Sequence, residues 1–159
     1  MRKIIATVFF VVFALATVPS AAELIGEVDT AFRWMGKDDR VVMEAYDDPK
    51  VQGVTCYVSR ARTGGFKGTV GLAEDRAEAS IACRQVASEL TFKEKLPKQE
   101  DVFTERMSLL FKRLHVVRVV DQKRNTLVYL TYSDKLIDGS PQNAITAVPV
   151  IHGTPIPLK

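Results

Sequence analysis

The chain has 159 residues, of which 47% are hydrophobic and 26% are charged, and its formal net charge is +3. This length and composition are typical of one globular domain that can bury a sizeable core. The weak net charge excludes a protein that binds nucleic acid through its overall charge, because such binding needs many uncompensated basic residues on one face.

The N-terminal segment has the three parts of a secretory signal peptide. Arg2 and Lys3 precede an apolar run over Ile4–Val18, which is shorter than the roughly 20 residues that a membrane-spanning helix needs. Small residues then predict cleavage between Ala22 and Glu23, although an uncleaved membrane anchor is the alternative. Cleavage removes two of the 22 basic residues and none of the 19 acidic ones, which leaves a formal charge of +1. We therefore expect a soluble protein that is exported to an oxidising compartment, without stable membrane insertion.

The first part of the mature chain predicts three strands. Leu24–Phe32 indicates a weak strand, and Arg40–Asp47 alternates more clearly. Val54–Arg62 alternates again, so that Cys56 shares a face with two valines and points to the core. A loop is expected after it, because Thr63–Gly71 contains four glycines.

The next segment predicts the main helix of the fold. Ala73–Ala87 begins with two acidic residues, which suit the positive end of a helix dipole. It continues with an apolar stripe at helical spacing that includes Cys83. Because Cys56 and Cys83 both face the core, we expect the helix to lie over the strand Val54–Arg62 and to be joined to it by a disulfide, since oxidising compartments favour such pairs.

The last third predicts an antiparallel hairpin and an edge strand. Leu114–Asp121 and Thr126–Ser133 are joined by a short polar turn. Ala144–Val150 is expected to add a strand, which Pro149 restricts to an edge. The expected fold is α+β, a single domain over residues 23–150 with a mainly antiparallel sheet, flat or curled into a barrel, and one main helix packed on it. Residues 151–159, rich in proline, are expected to form a flexible tail.

One cationic cluster is the candidate binding site for an anionic small molecule or an envelope protein. Glycine allows backbone N–H groups to approach an anion, and flanking cations compensate its charge. The residues of this candidate site are Arg60, Arg62, Gly64, Gly65 and Lys67. The alternative is a glycine-rich turn whose arginine side chains are simply solvated.

The sequence favours no catalytic, metal or cofactor site. His115 and His152 each lack a second ligand at metal-binding spacing, and no serine lies in a nucleophile-elbow motif. An enzyme would need an acid and a base that converge only in the fold, for instance His115 with a carboxylate. A weaker candidate is Tyr132–Lys135, at the end of a predicted strand, where a cap before a turn is the simpler interpretation.

Three segments, Val54–Gly65, Gly71–Val86 and Val116–Val150, together resemble the CreA family of bacterial exported proteins. Their letters are VTCYVSRARTGG, GLAEDRAEASIACRQV and VVRVVDQKRNTLVYLTYSDKLIDGSPQNAITAVPV. The resemblance covers nearly all of the mature chain, including both cysteines. It implies a Gram-negative periplasmic protein of unassigned molecular function, in a family whose name alludes to catabolite regulation, and it supplies no catalytic residues.

Together these features favour a non-catalytic periplasmic accessory or binding protein. A small envelope enzyme with an unrecognised acid and base is the alternative. A third possibility is a structural protein that binds its partner through a sheet edge.

Overall fold

The computed structural model describes residues 22–32, 34–65, 79–107, 113–134, 141–151 and 154–159. These residues form ten β-strands and one short 3-10 helix. The strands are β1 (Glu23–Ala31), β2 (Asp39–Asp47), β3 (Val51–Gln52), β4 (Val54–Arg62), β5 (Ala79–Gln85), β6 (Thr91–Phe92), β7 (Gln99–Arg106), β8 (Arg113–Asp121), β9 (Thr126–Ser133) and β10 (Asn143–Pro149). The 3-10 helix covers Gln122–Arg124.

Two four-stranded antiparallel sheets build the domain. The N-terminal sheet has the order β1-β2-β4-β5, and the C-terminal sheet has the order β10-β9-β8-β7. A small third sheet pairs β3 with β6. The buried apolar side chains of both large sheets form one cluster, to which β4 contributes Val54 and Val58 and β8 contributes Val116 and Val120. The core therefore lies between the two sheets.

Strand β4 has the bounds that its alternating pattern predicts. Val54, Cys56 and Val58 are buried, while Tyr57 between them is exposed. This period of two is that of a strand with one face on the core. Strand β2 starts one residue earlier than predicted and pairs with β4 from Arg40 to Asp47. Both strand predictions are therefore confirmed.

The predicted α+β fold with a main helix is wrong, because Ala79–Gln85, the second half of the proposed helix, is strand β5. Residues 73–78 of that helix lie outside the described residues. Ile81 and Cys83 point to the core at strand spacing, and β5 pairs antiparallel with β4. This pairing gives partners to the backbone N–H and C=O groups on that side of β4, which a helix packed on its face would leave unpaired. The described part of the chain is almost entirely β-structure.

The cysteines lie directly opposite each other on neighbouring strands. Cys56 of β4 is the register partner of Cys83 of β5, with their Cα atoms 3.9 Å apart. The two Sγ atoms are joined at 1.95 Å, and both residues are fully buried. The disulfide therefore links strand to strand, and the expected link between a strand and a helix is corrected accordingly.

The predicted hairpin in the C-terminal sheet is confirmed. Strands β8 and β9 pair from Leu114 with Ser133 to Asp121 with Thr126. The turn contains the 3-10 helix and ends at Asn125, whose left-handed backbone (φ 46°) reverses the chain. The side chain of Asp121 caps this turn by accepting a hydrogen bond from the backbone N–H of Arg124 at 3.3 Å.

The C-terminal end differs from the flexible tail that its prolines indicate. Strand β10 lies at the edge of its sheet, as predicted. Beyond it, Ile156 is buried in the core cluster and Leu158 forms a parallel bridge with Leu96. The N–H of Leu96 donates to the carbonyl of Pro157 at 2.8 Å, and the N–H of Lys159 donates to the carbonyl of Leu96 at 2.9 Å. Residues 154–159 thus form part of the folded domain.

Candidate functional site

The structure places Arg60 and Arg62 between the two sheets, in contact with two glutamates. Arg60 Nη2 lies 2.7 Å from Glu44 Oε2 and 2.5 Å from Glu105 Oε1. Arg62 Nη2 lies 3.2 Å from the same oxygen of Glu105. We call these four residues the arginine–glutamate cluster. Its two positive and two negative charges compensate each other, so it links β2 and β4 to β7 across the domain.

Within this cluster Arg60 is not a surface cation. Its side chain is completely buried, and its Nε and Nη1 atoms find no hydrogen-bond partner among the described residues. Arg62 is the more accessible of the two arginines, with 27% of its side chain exposed. A ligand that reached Arg60 would have to displace one of these partly buried glutamates. This displacement is costly, because it takes a counter-charge away from a buried arginine.

The two glycines of the predicted anion site serve a close chain crossing. The N–H of Gly64 donates to Asp39 Oδ1 at 2.7 Å, and the N–H of Gly65 donates to the carbonyl of Lys37 at 2.6 Å. A Cβ atom at Gly64 would lie 2.0 Å from that carbonyl oxygen, which no side chain tolerates. Both N–H groups are therefore occupied within the protein. Lys67, the last residue of the proposed site, lies outside the described residues.

This crossing holds the base of a segment whose large apolar side chains face solvent. Trp34 is 90% exposed and Phe32 is 79% exposed. Among the described residues from Leu24 to Met35, every large apolar side chain is more than half exposed. We call this the apolar N-terminal surface, and it consists of Leu24, Ile25, Val28, Phe32, Trp34 and Met35. Apolar surface of this kind marks an interaction site more often than it occurs by chance.

Sequence reasoning missed this surface because apolar residues in a strand are ordinarily read as core. The signal that could have revealed it is the lack of a clean period of two, since the apolar residues Leu24 and Ile25 are adjacent in the sequence. A strand with apolar residues on both faces is either central and buried or lies at an edge that another molecule covers.

His115 meets the second, weaker candidate of the sequence, the end of β9. Its ring stacks on Tyr132 with ring centroids 4.9 Å apart. Nε2 of His115 lies 3.1 Å from Asp134 Oδ1, and Nδ1 lies 3.5 Å from Asp101 Oδ2. The pKa of Tyr132 is raised by burial and by the two nearby aspartates. Lys135 of the same segment lies outside the described residues.

The geometry around His115 does not suit a general base. Both ring nitrogens are buried, each faces a carboxylate, and neither contact has hydrogen-bond geometry. A general base needs a nitrogen that can reach a substrate proton.

Among the described residues no group of three or more His, Cys, Asp or Glu side chains could hold a metal ion. In the described segments, no helix is both long and apolar enough to cross a membrane.

A second polar cluster is buried in the core around Asp48, whose side chain is fully buried. Arg118 Nη1 donates to both carboxylate oxygens of Asp48, at 2.5 and 2.6 Å, and Tyr129 Oη donates to Oδ2 at 2.8 Å. The backbone N–H groups of Lys50 and Val51 donate to Oδ1 at 2.8 and 3.0 Å. This aspartate network fixes the turn after β2 against β8 and β9. The hydrogen-bond donors to Asp48 all come from the protein itself, so this network has a structural role.

Glu100 extends the aspartate network toward the surface. Arg118 Nη2 donates to Glu100 Oε2 at 2.6 Å, and Lys50 Nζ donates to Oε1 of the same carboxylate. Lys50 also lies 2.9 Å from Glu94. The hydrogen bonds to Glu100 and Glu94 raise the pKa of Lys50, and Lys50 lowers the pKa of Glu94. The buried charges thus continue into a partly exposed chain of ion pairs.

Two buried tyrosines beside Asp48 should respond differently to the loss of their hydroxyl groups. Burial and then Asp48 raise the pKa of both phenols, which therefore stay protonated in the folded state. Tyr129 donates to Asp48, whereas the hydroxyl of Tyr46 has no hydrogen-bond partner in the part of the chain that the structure describes. Tyr129→Phe should therefore lower the free energy of unfolding by about 1.5–3 kcal/mol, because it breaks a hydrogen bond to a charged group.

The matched variant Tyr46→Phe should leave the free energy of unfolding unchanged or raise it by about 1 kcal/mol, since it removes a buried polar atom that has no partner. Urea unfolding followed by circular dichroism measures both variants. Equal losses in the two variants would contradict the assignment of the hydrogen bond to Tyr129 alone.

Comparison with known proteins agrees with the resemblance noted in the sequence. The profile of the family described as CreA protein matches residues 25–153. The chain belongs to the CreA family. The CreA match spans the arginine–glutamate cluster, the His115 contacts and the apolar N-terminal surface except Leu24. These features therefore belong to the CreA domain itself.

Three curated CreA relatives are similar along most of their length. Each is named Protein CreA, and they come from Escherichia coli strain K12, Escherichia coli O6:H1 strain CFT073 and Escherichia coli O157:H7. Each is 58% identical over 133 residues, which cover 82% of this chain and 85% of the relative. No solved structure matches the chain significantly. The name CreA specifies no reaction or ligand, so the function has to be argued from the site.

Proposed function

We propose that this CreA-family protein is exported to the periplasm and acts there as a non-catalytic binding protein for another protein of the cell envelope. Export is supported by the basic, apolar and small-residue parts of its first 22 residues. Strand β1 begins at Glu23, so cleavage after Ala22 would leave every described strand intact. The joined pair Cys56 and Cys83 suits an oxidising compartment.

The binding role rests on the apolar N-terminal surface. Soluble domains rarely expose many large apolar side chains in one region unless a partner covers them. Tryptophan is also the residue type that most often dominates binding energy at protein interfaces. Trp34, at 90% exposure, contributes almost nothing to the core of this domain. Its side chain is therefore available for a partner.

Site-specific photo-crosslinking in cells tests this proposal. A photoreactive amino acid replaces Trp34 in one variant and Lys123, an exposed residue in the turn between β8 and β9, in the control. Position 34 is expected to give a discrete adduct with an envelope protein that position 123 does not give. The captured protein, once purified, should bind the unmodified domain, and Trp34→Ala should weaken that binding tenfold or more, by roughly 1.4 kcal/mol or above.

Two results would count against the proposed function. Identical adducts from positions 34 and 123 would mean that the apolar surface has no specific partner. A protein isolated from cells with its original N-terminus, rather than one beginning at Glu23, would remove the periplasmic assignment.

A further inference from the structure

Strand β1 has one edge without a neighbour among the described residues. It lies at the end of the N-terminal sheet and pairs with β2 only. The register has irregularities at both ends, between Leu24 and Gly26 and between Asp29 and Ala31. Between them, residues 26–29 keep a continuous antiparallel ladder. The outer N–H and C=O groups of this part can accept a further strand, as sheet edges do in peptide recognition.

The side chains of β1 are apolar on both faces. Leu24, Ile25 and Val28 are each more than half exposed, and eight of the nine residues of the strand are exposed. An added strand would place its own side chains next to these on both faces of the sheet. The pairing would therefore bury apolar surface on both faces in addition to forming backbone hydrogen bonds.

The charge of β1 distinguishes between the molecules that could occupy this edge. The strand carries Glu23, Glu27 and Asp29 and no basic residue. Arg40 Nε lies 3.0 Å from Glu27 Oε2, but Glu23 and Asp29 form no ion pair within the described part of the chain. The edge is therefore net acidic, and a strand with basic side chains would complement it.

A second copy of this chain fits the same edge poorly. Two β1 strands that pair antiparallel around Val28 would place Glu27 of one copy opposite Asp29 of the other. Like charges directly opposite each other on neighbouring strands are destabilising. Acidic residues at an edge thus act against self-association, which is a common device in native sheets.

The backbone directly after Trp34 and Met35 is fixed by a close contact with another segment. Gly36 has a φ of 88°, and a Cβ atom there would lie 2.4 Å from the backbone of Gly65. The bridge between Lys37 and Gly65 closes this contact directly after Trp34 and Met35. A segment fixed at its base loses less conformational entropy on binding than a free loop does.

On the basis of the proposed function, we propose that the free edge of β1 binds an extended segment of an envelope protein, and that this segment is rich in apolar and basic residues. The segment pairs with β1 as an additional strand, and the residues that flank it pack on Phe32 and Trp34. The backbone of β1 supplies hydrogen bonds, its acidic side chains select basic partners, and the two aromatic rings supply apolar contact.

Three synthetic peptides of nine residues, the length of β1, test this inference. One alternates valine and lysine, the second alternates valine and glutamate, and the third is the first with a central proline that blocks strand pairing. Trp34 is the only tryptophan of the chain, so tryptophan fluorescence, excited selectively, reports on this surface alone. The valine–lysine peptide should shift the emission to shorter wavelength and slow amide hydrogen exchange in residues 26–29, whereas the other two should do neither at the same concentration.

A matched pair of charge reversals tests the role of the acidic edge. Asp29→Lys should weaken binding of the valine–lysine peptide by about threefold or more, because it replaces an attraction between opposite charges with a repulsion between like charges. Glu89→Lys changes the net charge by the same amount at an exposed loop residue outside β1, and it should leave the affinity unchanged within error. Equal effects of the two variants, or equal binding of the lysine and glutamate peptides, would overturn the preference for basic segments.

The remaining outcomes separate this inference from the function on which it rests. An emission shift without protection of the β1 amides would overturn strand addition. If no peptide binds while crosslinking at position 34 still captures a specific envelope protein, the strand-addition inference fails and the binding function stands. If neither assay detects a partner, both fail.

Discussion

Asp48→Ala is expected to lower the free energy of unfolding by about 3–5 kcal/mol, because it leaves the guanidinium of Arg118 buried without its main counter-charge. Arg118 is completely buried, and its Nη1 donates only to Asp48 among the described residues. The substitution also removes the acceptor of Tyr129 and of two backbone N–H groups in the following turn. Chemical unfolding at neutral pH, followed by circular dichroism, measures the loss.

Two control variants test whether the uncompensated charge of Arg118 causes the loss of stability in Asp48→Ala. Asp47→Ala removes the adjacent carboxylate, which is exposed and accepts one hydrogen bond from Thr55, and should cost no more than about 1 kcal/mol. The double variant Asp48→Leu with Arg118→Met removes both buried charges and should recover much of the stability lost in Asp48→Ala, since apolar replacements of buried ion pairs are often neutral. A double variant as unstable as Asp48→Ala would show that the uncompensated charge is not the cause.

Removing the disulfide should have an effect of similar size. In the chain-entropy model a link that spans a sequence separation of 27 contributes about 3.5 kcal/mol, and the loss of a native disulfide from a small domain typically costs about 2–5 kcal/mol. The double variant Cys56→Ala with Cys83→Ala should therefore unfold at a clearly lower denaturant concentration than the parent. Substitution of both cysteines avoids leaving a free buried thiol.

A reducing agent provides the matched control for this prediction. Dithiothreitol should destabilise the parent protein by about as much as the double substitution does, and it should leave the double variant unaffected. If the parent unfolds at the same denaturant concentration with and without reductant, while mass spectrometry shows both thiols reduced, the disulfide does not stabilise the domain.

The strands that sequence predicted well are those with one clearly apolar face. Strand β4 and the hairpin of β8 and β9 alternate along their length, and their patterns are unambiguous. The sequence ASIAC at the start of β5 fits a helix and a strand about equally well, because small apolar residues stand at both spacings. The strand forms because it can pair with the edge of β4. This pairing involves another part of the chain, so no local sequence pattern reveals it.

The candidate site shows the same division between local and distant information. Arg60 and Arg62 lie on the same face of β4 as its buried valines, so the alternation of the strand already indicated that both arginines face the core. Glu44 lies on the corresponding face of β2 and could have been recognised as a counter-charge. Glu105 could not, since it comes from the other sheet and its contact with Arg60 depends on how the sheets pack.

The position of residues 154–159 has a consequence for the order in which the domain can form. Ile156 is buried in the core cluster, and Leu158 forms a parallel bridge with Leu96. These contacts join segments that are far apart in sequence, so the entropy of closing a long loop opposes them until other contacts bring the segments together. The contact between Leu96 and Leu158 therefore depends on the sheets being in place first.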